Sequence, residues 1–308
     1  METRVSSLKK EVIIGDNQPT VLIGERINPA GKKKLAEALK ASDLEIVRRE
    51  ALAQVQAGAD MLDVNVGTFG VDEVDLLPRA VQAVMDVVDV PLCIDSNNPA
   101  ALEAAVKIYN GKPLINSVTG EERSLARVLP LVKEHKAAVV GLVQDDEGIP
   151  KDAKRRVKIA RKIVERAEAV GISRENIVID CLAFAVGADT SSGLAVMEAI
   201  RAIKGELGVN MTLGASNISF GLPDRELINN AFVAMAIAAG LTCLITDAAK
   251  VRPAVLAADL ILGRDKHARR YIGVYRPAPR AAGAIKSKLQ GGKNAKKEKK
   301  YIKRAKSI

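Results

Sequence analysis

The chain has 308 residues, of which 48% are hydrophobic, and carries a formal net charge of +10. It can bury a full core, which excludes a wholly disordered protein, and no apolar run reaches the roughly 18 residues that span a bilayer. The N-terminus has no apolar stretch typical of a signal peptide, and the three cysteines form no Cys-x-x-Cys pair. We therefore expect a cytoplasmic protein with no disulfide framework and no intrinsic metal site.

Residues 1–20 predict a small N-terminal hairpin extension. A β-branched run at residues 11–14 is followed by turn residues at 15–19 and by a second run at 20–23, a pattern typical of a hairpin. We expect this hairpin to close the N-terminal mouth of the domain that follows.

The body of the chain alternates strand and helix signals. Each β-branched run is followed by a stretch with apolar residues at three- and four-residue spacing, which indicates a helix. The runs lie at residues 21–27, 61–66, 91–95, 113–117, 137–143, 177–182, 211–216 and 243–246. Eight strand–helix units in this length predict an α/β fold, an eight-stranded parallel β/α barrel spanning residues 21–265.

Helix boundaries are marked by residues that cap helices. Asn98 before Pro99 is typical of an N-cap, and Ser124 and Asp152 are further candidates. Glycines stand where helices should end, at positions 58, 171, 208 and 240.

Residues 266–308 form a basic C-terminal extension. Its last 28 residues, 281–308, hold ten Lys or Arg and one acidic residue, so the rest of the chain is nearly neutral. Such a segment has little to bury, and we expect its end to be disordered and solvated. The alternatives are an electrostatic arm for an acidic protein or, with only Tyr301 available for stacking, a nucleic-acid contact.

Polar side chains stand where the predicted strands end. In a parallel β/α barrel these ends meet at one mouth, which carries the site. The strand ends are rich in Asp, Glu and Asn and have no histidine and few lysines. A carboxylate accepts paired N–H groups, and a carboxamide both donates and accepts, so the set suits a flat, neutral heterocycle better than a phosphate. For any single residue, a turn role is the alternative.

The strand-end motifs resemble the pterin-binding methyltransferases, that is, methyltetrahydrofolate:corrinoid protein methyltransferases and the related folate domain of cobalamin-dependent methionine synthase. The matching segments run in order from residue 12 to 264: IGERIN at 23–28, LDVNVG at 62–67, CIDSN at 93–97, INS at 115–117, GIPKD at 148–152, VID at 178–180 and LGASNIS at 213–219. The loop at residues 181–193 departs from the family pattern.

The resemblance implies a role for each matched residue. Asp95, Asn116 and Asp180 would hold the pterin ring, and Asn217 would hydrogen-bond near N5, the methyl-bearing nitrogen, as the catalytic residue. The remaining candidate contacts at the same mouth are Asp63, Asn65, Glu25 and Asn28.

The resemblance also implies a reaction. Methyltetrahydrofolate or tetrahydrofolate would be the substrate, and the corrinoid (cobalamin) would arrive on a separate corrinoid protein, because this chain has no cobalamin-binding module. The enzyme would be a homodimer, and residues 230–240 predict a helix that is apolar all round, buried or at a subunit contact. No membrane association is expected.

Three alternatives stay open at this point. A dihydropteroate synthase binds a pterin on the same barrel, but the cations of its typical loops are missing at residues 65–70 and 215–219. A pterin-binding protein without catalysis would share the same site. A nucleic-acid-binding protein would act through the basic tail, with a steep salt dependence.

Overall fold

The computed structural model describes residues 1–276, which contain ten strands and ten α-helices. The strands are β1 (Glu2–Ser6), β2 (Glu11–Gly15), β3 (Val21–Ile27), β4 (Met61–Val64), β5 (Leu92–Asp95), β6 (Leu114–Thr119), β7 (Ala138–Leu142), β8 (Ile177–Asp180), β9 (Asn210–Thr212) and β10 (Cys243–Thr246). The helices are α1 (Lys33–Lys40), α2 (Glu45–Gln56), α3 (Glu73–Met85), α4 (Pro99–Ile108), α5 (Glu122–Glu134), α6 (Ala153–Ala169), α7 (Ser192–Leu207), α8 (Arg225–Ala239), α9 (Ala248–Ile261) and α10 (Arg269–Tyr275). Residues up to Ala268 form one compact unit, and Arg269 begins a second. The basic run at 281–308 lies outside the described residues.

Strands β3 to β10 form the predicted parallel barrel. They pair in the order β10-β3-β4-β5-β6-β7-β8-β9, and every pairing is parallel. The two end strands meet through a parallel bridge between Gly214 and Ile245. This contact closes the sheet, and the prediction of an eight-stranded β/α barrel is confirmed.

Alternation along the strands builds two separate cores. In β8, Ile177 and Ile179 point outward and pack in the core between the sheet and the helices, whereas Val178 points into the barrel. The same alternation sends Met61 and Cys93 inward. Because the side-chain period of a strand is two, the residue two positions after each inward apolar residue also faces the interior, nearer the C-terminal mouth.

The N-terminal hairpin is present, but its strands differ from the prediction. β2 pairs antiparallel with β1, and residues 21–27 are the first barrel strand instead. The periodicity of residues 20–23 fits either pairing, so the pattern could not identify the partner. The hairpin closes the N-terminal mouth as expected: Val5, Val12 and Ile14 pack on the inward barrel residues, and Asn210 Nδ2 donates to the Ile14 carbonyl at 2.9 Å.

Several local predictions need correction. The seventh barrel strand ends at Thr212, and residues 215–219 form a 3-10 turn rather than extended chain. The N-cap of α5 is Glu121, while Ser124 lies inside the helix and its Oγ accepts from the Thr119 N–H at 2.9 Å. Asn98 and Asp152 cap α4 and α6 as predicted.

Helix α8, predicted to be buried or at a subunit contact, has one buried face and one exposed face. One face carries Phe232, Val233 and Ile237 into the core, whereas Leu227 and Met235 on the other face are 68% and 59% exposed. Within residues 1–276, no helix combines the length and apolar character needed to traverse a bilayer.

Candidate functional site

A cavity of about 870 Å³ opens at the C-terminal ends of the barrel strands. Seven of the eight residues singled out from the sequence line it: Glu25, Asn28, Asp63, Asp95, Asn116, Asp180 and Asn217. Five of them follow directly from the alternation, since each stands two positions after an apolar residue that fills the barrel, after Ile23, Met61, Cys93, Leu114 and Val178. On each of these five strands, the last inward apolar residue packs inside the barrel, and the next inward residue is polar and lines the cavity.

Asp63, Asp95 and Asn116 form one cluster on three neighbouring strands. Asn116 Nδ2 donates to Asp63 Oδ1 at 3.4 Å. Burial raises the pKa of Asp63 well above its usual range, and the nearby Asp95 raises it further. Burial likewise raises the pKa of Asp95, to about 6, against a hydrogen bond from Asn65 that lowers it. The cluster thus holds two carboxyl groups that do not both ionise readily, next to an amide.

Asp180 stands at the end of β8 and is almost completely buried. Burial raises its pKa to about 7, whereas the Leu182 N–H, which donates to Asp180 Oδ1 at 2.6 Å, and the charge of Arg156 lower it. Near neutral pH this group exists in both forms. A ligand that offers paired N–H donors would favour the ionised form.

Glu25 lies near the end of β3, and Asn28 is the first residue after this strand. Ser216 Oγ donates to Glu25 Oε1 at 2.7 Å, and burial raises the pKa of this carboxyl despite that hydrogen bond. Asn28 Oδ1 accepts from the Ala30 N–H at 3.0 Å. Lys32 Nζ donates to the carbonyls of Glu25 and Asn28, at 3.2 and 3.0 Å, and so ties the loop after β3 to the end of the strand.

Asn217 lies on the 3-10 turn after β9, with its side chain exposed to the cavity. A Cβ at Gly214 would lie 3.0 Å from Asn217 Nδ2, so a glycine at this position leaves room for the carboxamide. The turn itself is closed by the Asn217 N–H, which donates to the Gly214 carbonyl at 3.3 Å. The carboxamide is free to meet a ligand.

Asn65 is the one predicted residue outside the cavity lining. Strand β4 ends at Val64, so the alternation that places Asp63 inward no longer applies to Asn65. Its Oδ1 accepts from the Gly67 N–H at 2.8 Å, and its amide supports Asp95.

Sequence reasoning missed other groups at the mouth. Arg26, Lys32, Arg225 and Lys250 also line the cavity. Arg26 stands in β3, within the matched segment at residues 23–28, whereas the other three come from a loop and from first helical turns, where strand-end motifs gave no signal. Asn229 in α8 also lines the cavity, and its buried Oδ1 has no partner within the described chain.

Among residues 1–276, no three His, Cys, Asp or Glu side chains are arranged to hold a metal ion. The three cysteines are buried free thiols, and burial raises the pKa of Cys93, Cys181 and Cys243.

Known proteins are similar to this chain in sequence. Residues 24–247 match the family described as pterin binding enzyme. The chain is 33% identical over 266 residues to the methylcorrinoid:tetrahydrofolate methyltransferase of Eubacterium limosum, covering 83% of this chain and 96% of that protein. It is 35% identical over 265 residues to methionine synthase of Mycobacterium tuberculosis, covering 82% of this chain but only 22% of that larger protein.

A solved structure shares the fold at lower sequence identity. Dihydropteroate synthase of Xanthomonas albilineans superposes with a TM-score of 0.64 at 22% identity, covering 85% of this chain and 99% of that one. The family match extends from the first barrel strand to the last, across every strand end that lines the cavity. The chain belongs to the pterin-binding enzyme family.

Proposed function

We propose that this protein is a methyltetrahydrofolate:corrinoid protein methyltransferase, which moves a methyl group between N5 of tetrahydrofolate and the cobalt of a corrinoid on a separate protein. The observation that carries this proposal is the match along 96% of an enzyme whose name states both reactants. The cavity agrees with it, because buried carboxyl and amide groups suit a pterin ring.

The pterin would lie between Asp95, Asn116 and Asp180. Ionised carboxylates accept the ring N–H groups, and the Asn116 carboxamide can donate and accept at once. Asp63 and Glu25 would support the ring from neighbouring strands, and Asn28 and Asn65 would do so from the first residues after β3 and β4. Because these groups sit on strand ends rather than mobile loops, little reorganisation accompanies binding.

Asn217 would act on the reacting nitrogen. When the methyl group leaves N5, the electron pair of the C–N bond stays on that nitrogen, which is a poor leaving group unless it gains a proton or a hydrogen bond. A carboxamide fixed beside N5 stabilises the charge that changes there. A reduced Co(I) corrinoid on the partner protein would supply the electron pair for the new bond to the methyl carbon, so this chain needs no nucleophile of its own.

We test this with Asn217→Ala. Folate affinity should stay within an order of magnitude, while methyl transfer slows roughly 10²- to 10³-fold, as for loss of one oxyanion-hole donor. Stopped-flow absorbance of the corrinoid and titration calorimetry with methyltetrahydrofolate measure the two quantities. Asn110→Ala, an exposed asparagine outside the cavity, is the matched control.

The outcomes separate the candidate functions. Equal loss of binding and transfer would assign Asn217 to binding alone. Wild-type protein that binds folate but transfers no methyl group would be a pterin-binding protein without this catalysis.

The quaternary state and location belong to the same proposal. We propose a homodimer in which the exposed face of α8, with Leu227 and Met235, contacts a second copy. Three buried free thiols are compatible with the reducing cytoplasm, where we place the protein.

A further inference from the structure

Arg156, in the first turn of α6, is a fully buried guanidinium. Its Nε donates to the Pro150 carbonyl at 2.9 Å, and its Nη1 donates to the carbonyls of Cys181 and Leu182 at 2.9 and 3.1 Å. Its Nη2 is buried without a hydrogen-bond partner in the described residues, and its guanidinium carbon lies 5.8 Å from the centroid of the Phe184 ring. A buried cation of this kind is costly unless the charge is used nearby.

Leu182 connects this guanidinium to the pterin site. Its backbone has a left-handed φ of 52°. Its carbonyl and its N–H contact different groups. The carbonyl accepts from Arg156, and the N–H donates to Asp180 Oδ1 at 2.6 Å. Arg156 is thus one residue away from the carboxylate that would hold the ligand.

We propose that Arg156 is a positioning residue for the pterin site: through Leu182 it fixes the Asp180 carboxylate, and its charge favours the ionised form that accepts ligand N–H groups. The inference rests on the proposed function for its ligand. It also gives a physical role to the loop at residues 181–191, whose start is tied to α6 by these bonds.

The surroundings of Asp180 leave Arg156 as the cation that acts on it. The thiols of Cys181 and Cys243 are buried, and burial raises both pKa values, so they stay neutral. Asp152, the N-cap of α6, faces Arg156 with a negative charge. Asp63 and Asp95 line the same cavity, but neither is among the groups that shift the pKa of Asp180.

Three variants separate charge from anchoring. Arg156→Gln keeps donors for the carbonyls and removes the charge, whereas Arg156→Lys keeps the charge and loses the planar fork. Ser192→Ala is the matched control, because Ser192 Oγ donates to the Phe184 carbonyl at 3.1 Å and so anchors the same loop without charge. Each protein is titrated with methyltetrahydrofolate by calorimetry from pH 5.5 to 9. Infrared titration against Asp180→Asn reports the Asp180 carboxyl without any ligand.

In the wild type, the affinity for methyltetrahydrofolate should decrease as the pH falls below the Asp180 pKa of about 7. In Arg156→Gln, that midpoint should rise by about one pH unit, which weakens binding about five-fold at pH 7 and little at pH 9. Arg156→Lys should keep the midpoint but bind more weakly at every pH. Ser192→Ala should keep the wild-type midpoint.

An unchanged midpoint in Arg156→Gln, or an equal rise in Ser192→Ala, would overturn the electrostatic role. Unchanged affinity in Arg156→Lys would overturn the positioning role, and this variant decides if the glutamine variant does not fold. Wild-type protein that binds no reduced folate would defeat the proposed function instead, while the infrared titration would still report the effect of Arg156 on Asp180.

Discussion

Asp95 and Asp180 show how strand alternation sets the chemistry of single residues. Each stands on the inward face two positions beyond an apolar residue that fills the barrel. Such a position removes water from the carboxyl group, and the pKa values rise to about 6 and about 7. The strands therefore place these carboxyl groups, and the burial that comes with this position brings their pKa values close to neutral pH.

Asp180→Asn should stabilise the ligand-free protein at neutral pH. The folded pKa of about 7 lies above the ordinary value of 3.8, so ionisation of Asp180 opposes folding as pH rises from about 4 to about 7. Above that window the cost is constant, on the order of 2–4 kcal/mol. The free energy of unfolding, from urea titrations at pH 4 and pH 8, should rise in the variant at pH 8 and change little at pH 4.

Asp75→Asn is the control for this comparison. Asp75 is an exposed partner of Arg79 on the surface of α3, where ion pairs contribute little. An equal effect of Asp180→Asn at both pH values would mean that packing of the amide, rather than ionisation, changes stability.

Single residues were predictable from sequence where a strand carries them. Asp63, Asp95 and Asn116 follow from a period of two, and their gathering at one mouth follows from the parallel barrel. Asn65 was not predictable in this way, because it lies one residue beyond the end of β4. Asn229 could not be predicted, since its place depends on how α8 packs over the mouth.

At the scale of elements, β1 and β2 act as a plug. Val5, Val12 and Ile14 fill the N-terminal end of the barrel, and the Tyr109 hydroxyl donates to the Ser6 carbonyl at 2.9 Å to hold the hairpin from outside. The sequence predicted this closure but not the pairing. Local patterns indicate that a segment is a strand, whereas its partner is decided by tertiary packing.

Ile14→Ala should destabilise the barrel while leaving the site intact. Ile14 is fully buried against the barrel interior, so the change leaves a cavity and costs about 2–5 kcal/mol. Urea unfolding measures the loss, and calorimetry with methyltetrahydrofolate should show an unchanged affinity, since the cavity lies at the opposite mouth. Leu8→Ala, at a position 76% exposed between the two hairpin strands, should change neither quantity. Loss of folate affinity in folded Ile14→Ala would show that the two ends of the barrel are coupled.

At the scale of the whole molecule, the two mouths of the barrel differ in chemical character. The N-terminal mouth is closed by apolar packing, and the polar cavity opens at the other mouth. Binding groups therefore gather at one end, which is the end that a corrinoid protein would approach under the proposed function. The net charge of the chain says little about this end, because most of it belongs to residues 281–308.

The homodimer prediction rests on the surface that the barrel leaves exposed. Leu227 and Met235 lie two helical turns apart on the outer face of α8, and burying such side chains between two copies is favourable. The double variant Leu227→Glu/Met235→Glu should sediment as a monomer, where the wild type sediments as a dimer, because two charges would be buried without partners. Leu194→Glu, which changes an equally exposed leucine on α7, should leave the dimer intact. A monomeric wild type, or a double variant that still dimerises, would place the contact elsewhere or remove it.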